Sequence, residues 1–425
     1  MLLEKVQLFN TKKDFFIFLL GCFFILNYTL LIEYNNYKKL TRFDSTITKA
    51  IVLKQYSKTK INKHNKLKTY QILKLKSSQD FTFYTSQNNT IQNLLGKYIT
   101  IEIWAGKISF YEYMTSFYTF SKILHINTTI TLKQQLNFTL DAKHKDSNIS
   151  SIYKALYSAT PLPKRLQETF SALGISHLLA ISGFHLGVLA TLLYFLLKLP
   201  YKFLQNRYFP YRNYKLDSFI FIAFTLLIYV IFLDSPPSLL RAYTMMIVGF
   251  FLYDRGYKII SMQTLLLTIL LLLSFFPRLF FALGFWLSIA GVFYIFLFLI
   301  YFKNLTKIWQ FLLLPIWVYL MMLPYSLIIF GSFSIYHPLS IIWTSLFTLF
   351  YPLSIFLHFI NFGDIFDTML NELLSLSSLK SVYFHPLWLQ IFIGLSLLSI
   401  KNIWSMYIMF SLSITMLIYS IYQVT

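Results

Sequence analysis

Residues 174–189 read GISHLLAISGFHLGVL and set two histidines, a Ser-Gly pair and two further glycines in an otherwise apolar run. Two chemistries suit that set. Ser182 with a distant histidine (His337, His358 or His385) has the makings of a nucleophile–base dyad. Alternatively His177, Ser182 and His185 would line a wet passage, because polar groups at membrane depth are costly and face a cavity or a partner. The plain packing alternative puts Gly183 and Gly187, four apart, on a close-approach face between helices, with the histidines bonded to neighbours. On an unbroken helix Ser182 and His185 share a face, and His177 lies about 80° away from His185. Gly183 is where such a helix would break or bend.

A second polar group stands in DSPPSLLRAYTMM at 234–246. Arg241 is four residues into an apolar run, about 6 Å along a helix from its outer end. It either snorkels to lipid headgroups or faces a lumen, where its planar fork suits a phosphate. Ser235 and Pro236 precede it, and Pro236 and Pro237 set the entry of that helix. Metal chemistry is not expected. The eight histidines stand at 64, 125, 144, 177, 185, 337, 358 and 385, no two closer than eight residues, so no His-x-His-x-Asp-His ligand run exists. No Gly-x-x-x-x-Gly-Lys-Ser/Thr loop is present, so no nucleotide-driven step and no cofactor is expected, and energy must come from a partner.

These residues must be positioned by membrane helices. Of 425 residues, 56 % are hydrophobic, 20 % aromatic and only 12 % charged, against about 25 % charged in a soluble globular protein. A soluble enzyme, a disulfide-rich scaffold and a disordered chain are excluded together. The single cysteine, Cys22, allows no internal disulfide. The 37 Lys and Arg against 16 Asp and Glu give +21, which points to an anionic partner, lipid headgroup or nucleic acid, beside a general bias towards Lys, Asn, Ile, Phe and Tyr.

Residues 15–32 carry no charge and are about the length that crosses a bilayer core, about 20 residues. They read as a retained first helix rather than a cleaved signal. Further spans are expected at 177–198, 218–233, 237–253, 259–275, 280–302, 309–330, 336–360, 384–400 and 403–422, ten in all. The segment 361–382 reads as an amphipathic surface helix. Lys5, Lys12 and Lys13, then Lys198, Lys202, Arg207, Arg212 and Lys215, then Arg255 and Lys258, and Lys303 and Lys307 fall on alternate loops. That pattern puts both termini in the cytoplasm.

Residues 33–150 differ: polar, without a span, with 18 Lys and Arg against 7 Asp and Glu. Alternation predicts strands at 46–56, 68–76, 80–85, 98–104 and 107–113, with Ile99, Ile101 and Ile103 on one face and a turn at Ala105–Gly106. About five strands suit a small OB-like barrel, with a five-stranded sandwich as the alternative. The fold expected is therefore a polytopic α-helical membrane protein of about ten transmembrane helices with an inserted all-β extracytoplasmic domain. Its parts are 1–32, 33–150 and 151–425.

The block HLLAISGFHLG at 177–187 resembles the signature HLLAISGLHVG of the ComEC family, the inner-membrane channel proteins of natural DNA transformation. Phe184 and Leu186 are mild apolar departures. Upstream, LPKRLQETFSALGISHLLA resembles the family's lead-in helix. Downstream, Ser235, Pro236 and Arg241 match its Ser-Pro-Ser-x-x-Arg segment, FFALGFWLSIAGV at 280–292 is similar to its Gly-Phe-x-Leu-Ser span, and 332–347 is loosely similar to a late helix. The likeness covers about 150–360. It departs in two places: the chain ends in a span at 403–422, without the metallo-β-lactamase-like nuclease domain of many members, and the family's Gly-Asp appears as Ser158 and Ala159.

The resemblance implies a channel for single-stranded DNA in the bacterial inner (plasma) membrane, working with a DNA-receptor protein and a cytoplasmic helicase-like motor, as a monomer or a homodimer. It implies a DNA path at His177, Ser182, Gly183, His185, Gly187, Ser235, Pro236 and Arg241. Aromatics interleaved with lysines, Tyr70, Phe83, Trp104 and Tyr111 among them, would stack bases at about 1–3 kcal/mol each. Two rivals belong to other classes. An intramembrane serine protease using Ser182 lacks the Gly-x-Ser-Gly pattern, with Ala180 where Gly belongs. A small-molecule or lipid-linked saccharide transporter would show an inverted repeat, and no second copy of HLLAISGFH occurs.

Overall fold

The computed structural model describes residues 11–61, 67–88, 91–127, 130–257, 259–376 and 380–424. Lys5, Lys258 and His64 lie outside the described residues. The chain forms two compact units, one of Lys12–Leu140 with Leu270–Ala282, the other chiefly of Asp141–Ile269 and Leu283–Thr425.

The first unit begins with α1, Lys12–Leu40, 29 residues with Asp14 in the first turn and Lys38 and Lys39 in the last, each favourable to the helix dipole. A six-stranded sheet follows: β1 Thr46–Ile61, β2 Leu67–Ser77, β3 Thr82–Asn88, β4 Tyr98–Ile103, β5 Phe117–Tyr118 and β6 Ser121–Ile126, in the order β5-β3-β2-β1-β4-β6. All pairings are antiparallel except β3 with β5. The alternation in YITIEI holds: Ile99, Ile101 and Ile103 are buried, with Thr100 and Glu102 on the other face. They join Val52, Leu73, Leu75, Phe81, Phe83, Tyr113 and Phe117 in one core.

The strand expected at 107–113 does not form. In its place stands the short helix α2, Phe110–Met114, because Ser109 and Glu112 make a capping box: Ser109 Oγ accepts from the Glu112 N–H, and Glu112 accepts from the Ser109 N–H at 2.7 Å. The hairpin turn at Ala105–Gly106 is likewise replaced, since β4 pairs with β1 and β6. Gly106 has another reason. A Cβ there would lie 3.2 Å from the Asp44 backbone.

The helices continue as α3 Leu132–Lys143, α4 Ser147–Ser158, α5 Lys164–Ala172, α6 Ser176–Leu179, α7 Gly183–Tyr208, α8 Tyr214–Phe232, α9 Pro237–Asp254, α10 Met262–Phe275, α11 Leu283–Tyr301, α12 Lys307–Phe330, α13 Ser340–Phe359, α14 Asp367–Ser375, α15 Leu387–Leu398 and α16 Ile403–Val424. Among the described residues seven helices are long and apolar enough to cross a membrane: α1, α7, α8, α11, α12, the stretch His337–Phe359 and α16. The protein is a multi-pass helical membrane protein. Helices α10 and α15 are shorter apolar helices. The amphipathic helix expected over 361–382 is cut to α14, which buries Leu370 and Leu373; Lys380 and Ser381 instead pair with Ser332 and Phe333.

Inside the helical unit, apolar packing is supplemented by polar bonds between helices, as an apolar solvent requires. Tyr294 Oη lies 2.6 Å from Ser396 Oγ and 3.1 Å from Tyr325 Oη, and Trp317 Nε1 donates to the Tyr294 carbonyl at 3.0 Å.

Candidate functional site

The run 177–198 is not one helix. Helix α5 gives way to Gly174, which has a φ of +72°, and a Cβ there would stand 2.8 Å from the His337 ring, so only glycine fits. The four-residue α6 carries His177, the chain is extended at Ala180, and α7 starts at Gly183. The uninterrupted-helix geometry therefore fails, and the break falls before Gly183, at 180–182. Its physical cause is capping. Ser182 is the N-cap of α7, accepting from the Phe184 N–H at 3.3 Å, while His185 Nδ1 accepts from the Ser182 N–H at 3.3 Å, so Ser-x-x-His acts as a capping box. Ser238, in the first turn of α9, donates to the Ile181 carbonyl at 2.8 Å and holds the extended segment.

This arrangement separates the histidines. His177 is exposed and bonds Thr344 at 3.2 Å. His185 is fully buried, packed edge-on against Tyr351 at 4.8 Å and Phe347 at 5.2 Å. Its Nδ1 accepts, so its Nε2 carries the hydrogen, and that nitrogen has no partner among the described residues. The distant-histidine dyad is not assembled. The Ser182 hydroxyl lies 3.3 Å from His185, while His337 bonds Tyr319 at 3.0 Å and His358 bonds His144 at 3.0 Å. The Leu387 N–H donates to His385.

The two glycines of the motif differ. A Cβ on Gly183 would stand 2.8 Å from Ala242 Cβ and 3.6 Å from Arg241 Nη2, so this position lets α7 and α9 touch. A Cβ on Gly187 would meet nothing within 4 Å. Arg241 is only 4 % exposed, inside the protein rather than at its surface, and its Nε and Nη1 have no hydrogen-bond partner among the described residues. Ser235 has a φ of +51° beside Asp234 at +63°, a strained corner closed by the Ser235 N–H donating to Val230 O at 2.9 Å, and Pro236 is the N-cap of α9.

In the first unit the four aromatic candidates fall into three environments. Trp104 is 45 % and Tyr111 66 % exposed. Tyr70 is half-buried. Phe83 is fully buried and stacks on Phe117 at 5.8 Å, which corrects its assignment as a base-stacking residue: it is core.

Two polar clusters escaped sequence reasoning. Glu33 and Arg278 form a bidentate pair at 2.9 and 2.8 Å, with Tyr113 donating to Glu33 at 3.2 Å and the guanidinium 4.6 Å from the Tyr113 ring centre. Burial pushes the Tyr113 phenol up to about 12, so it remains a donor. The second joins His144, His358 and Asp367. The only sequence signal for either is a charge next to an apolar span. Among the described residues no three His, Cys, Asp or Glu side chains gather to hold a metal.

No curated protein and no solved structure matches the chain. A family model described as Competence protein matches residues 159–423, the broken helix, both glycines and Arg241 included, and over well more than half its length the chain belongs to that family of ComEC-type competence proteins.

Proposed function

We propose that the chain is a channel that moves single-stranded DNA across the bacterial inner membrane during natural transformation. The observation that carries this reading is the helix break at Ala180–Ser182 within the matched family region. Non-helical backbone at membrane depth is tolerated only where protein buries it or a wet cavity borders it. Gly183, with its tight contact to α9, belongs to the same break, and so do Ser182 and His185.

On this reading α9, α10 and α15 complete ten spans with the seven long helices. Residues 33–150 lie outside, in keeping with lysines and arginines on alternate loops. An OB-like barrel is supported by the parallel β3–β5 pairing, with β5 and β6 separated by two residues at opposite ends of the strand order, so that one chain segment links both edges. Trp104 and Tyr111 offer exposed rings to bases. A DNA-receptor protein delivers the strand and a helicase-like motor draws it in. The chain itself performs no catalysis.

The test is transformation of a strain deleted for this chain with labelled DNA, and of the same strain complemented. Label should bind the deleted cells yet remain outside the inner membrane, and complementation should restore entry. Entry of label into deleted cells at the wild-type rate would refute the channel. A reporter fused after Lys145 should be extracytoplasmic and one within 202–215 cytoplasmic.

A further inference from the structure

We propose that Arg241 and the first turn of α7 together form a seat for one phosphate group. This deepens the channel reading and rests on it for the source of the phosphate.

Burial is the first observation. Arg241 is 4 % exposed, Nε and Nη1 have no hydrogen-bond partner, and no carboxylate pairs with it among the described residues. A buried guanidinium left in that state is costly, and cations inside proteins are almost always paired. The second is direction. Arg241 Nη2 stands 3.6 Å from the Cβ position of Gly183, the first residue of a 26-residue helix. The positive end of the helix dipole is therefore beside the guanidinium, with the Phe184 and His185 N–H groups of that end already capped by Ser182. Two positive features share one buried place. An anion would be favoured by both.

Glycine explains the closeness. With any Cβ at 183, 2.8 Å from Ala242, α7 would be pushed off α9 and its N-terminus away from Arg241. A planar fork of donors beside the positive end of a helix is suited to phosphate oxygens, which accept from the fork and are favoured by the dipole. A guanidinium beside the positive end of a helix selects an anion over a zwitterion or a neutral sugar. A phosphodiester of the DNA backbone and the phosphate of an anionic lipid headgroup share that chemistry.

The experiment uses the full-length chain in nanodiscs of neutral phosphatidylcholine. Its probes are a single-stranded oligonucleotide, the same sequence with an uncharged methylphosphonate backbone, and phosphatidylglycerol followed by native mass spectrometry. Wild type should prefer the phosphodiester strand. Arg241→Gln should weaken that strand about tenfold, leaving the methylphosphonate strand unchanged. Arg241→Lys, which keeps the charge and therefore controls for folding, should lose about threefold because the fork is gone. If oligonucleotide binding is unchanged and the glutamine variant instead loses bound phosphatidylglycerol, the seat stands and its occupant is lipid. Wild-type binding of both anions by folded Arg241→Gln or by Arg241→Lys overturns the seat. Should that happen while complementation still restores DNA entry, the channel reading survives without it.

Discussion

The imidazoles of His144 and His358 meet Nε2 to Nε2 at 3.0 Å, both rings buried. The His144 Nδ1 faces both Asp367 oxygens at 2.9 and 3.0 Å, and the His358 Nδ1 donates to the Ser354 carbonyl at 2.7 Å. A carbonyl only accepts, so the His358 Nδ1 carries hydrogen, and a continuous line of contacts runs from Asp367 through both rings to the Ser354 carbonyl.

This relay ties the start of the helical unit to the end of α13. Lys143 donates to the His358 carbonyl at 2.6 Å, and a Cβ on Gly363 would lie 2.8 Å from the His358 ring. Replacing either histidine by leucine strands the other ring and should cost about 1–3 kcal/mol of stability. The double variant should cost little more than one single, because the second change removes an already orphaned group. Thermal unfolding in detergent measures this, and strict additivity would show that the contact contributes nothing. Gly363→Ala should behave like the His358 change, since it displaces the same ring.

Glu33 and Arg278 are each 19 % exposed, so their pair is largely desolvated. Removing one partner should cost about 3–5 kcal/mol, since it leaves a buried charge alone. The double variant Glu33→Leu with Arg278→Met should recover most of that loss. Chemical unfolding of the four proteins decides it. A double variant as unstable as the worse single would mean that packing around Tyr113, rather than the ion pair, carries the effect.

What could be read from sequence follows the range of the forces involved. Ile99, Ile101 and Ile103 declared a half-buried strand, and the charge-free stretch 15–32 declared a span, because each is decided by a local pattern. At 107–113 the alternation was outweighed by a second local signal, Ser109 and Glu112 at capping-box spacing. The same happened at Ser182 and His185, where a histidine takes the place of the usual Glu or Gln. The motif and a break at Gly183 were visible, whereas the place of the break at 180–182 and the cap that causes it were not. His144 and His358 are 214 residues apart, and Glu33 and Arg278 are 245 apart. No local pattern specifies contacts at such separations; only the packed fold brings them together.

The carboxyl of Asp141 gives a pH dependence with a definite sign. Burial alone would raise it, but Lys154 at 2.6 Å and Ser150 at 2.5 Å more than offset that and hold it below its ordinary value. A lowered folded value means that the contribution is complete above the unfolded carboxylate range, about 3.9, and fades as pH falls through the folded value. The melting temperature of wild type should exceed that of Asp141→Asn near neutrality, and the gap should close below about pH 4. A gap that stayed constant to about pH 3 would show that the loss is one of hydrogen-bond geometry, not of charge.

The exposed rings of the first unit separate DNA contact from core packing. Trp104 and Tyr111 are exposed, whereas Phe83 is enclosed against Phe117 and Phe81. If single strands pass over this unit, Trp104→Ala and Tyr111→Ala should each weaken binding of a single-stranded oligonucleotide to the full-length protein by about tenfold, the worth of one stacked base. Their melting temperatures should not move. Phe83→Ala should do the reverse, lowering stability by about 3–5 kcal/mol through the cavity left in the core. Wild-type binding itself should fall steeply with added salt, because lysines that neutralise phosphates release counterions. The aromatic variants should keep that salt slope, since stacking moves no charge, and only their intercept should drop. Fluorescence anisotropy across a salt series reads slope and intercept together. An unchanged intercept for both Trp104→Ala and Tyr111→Ala would leave the lysines as the only contact and remove base stacking from the account of how the strand is received.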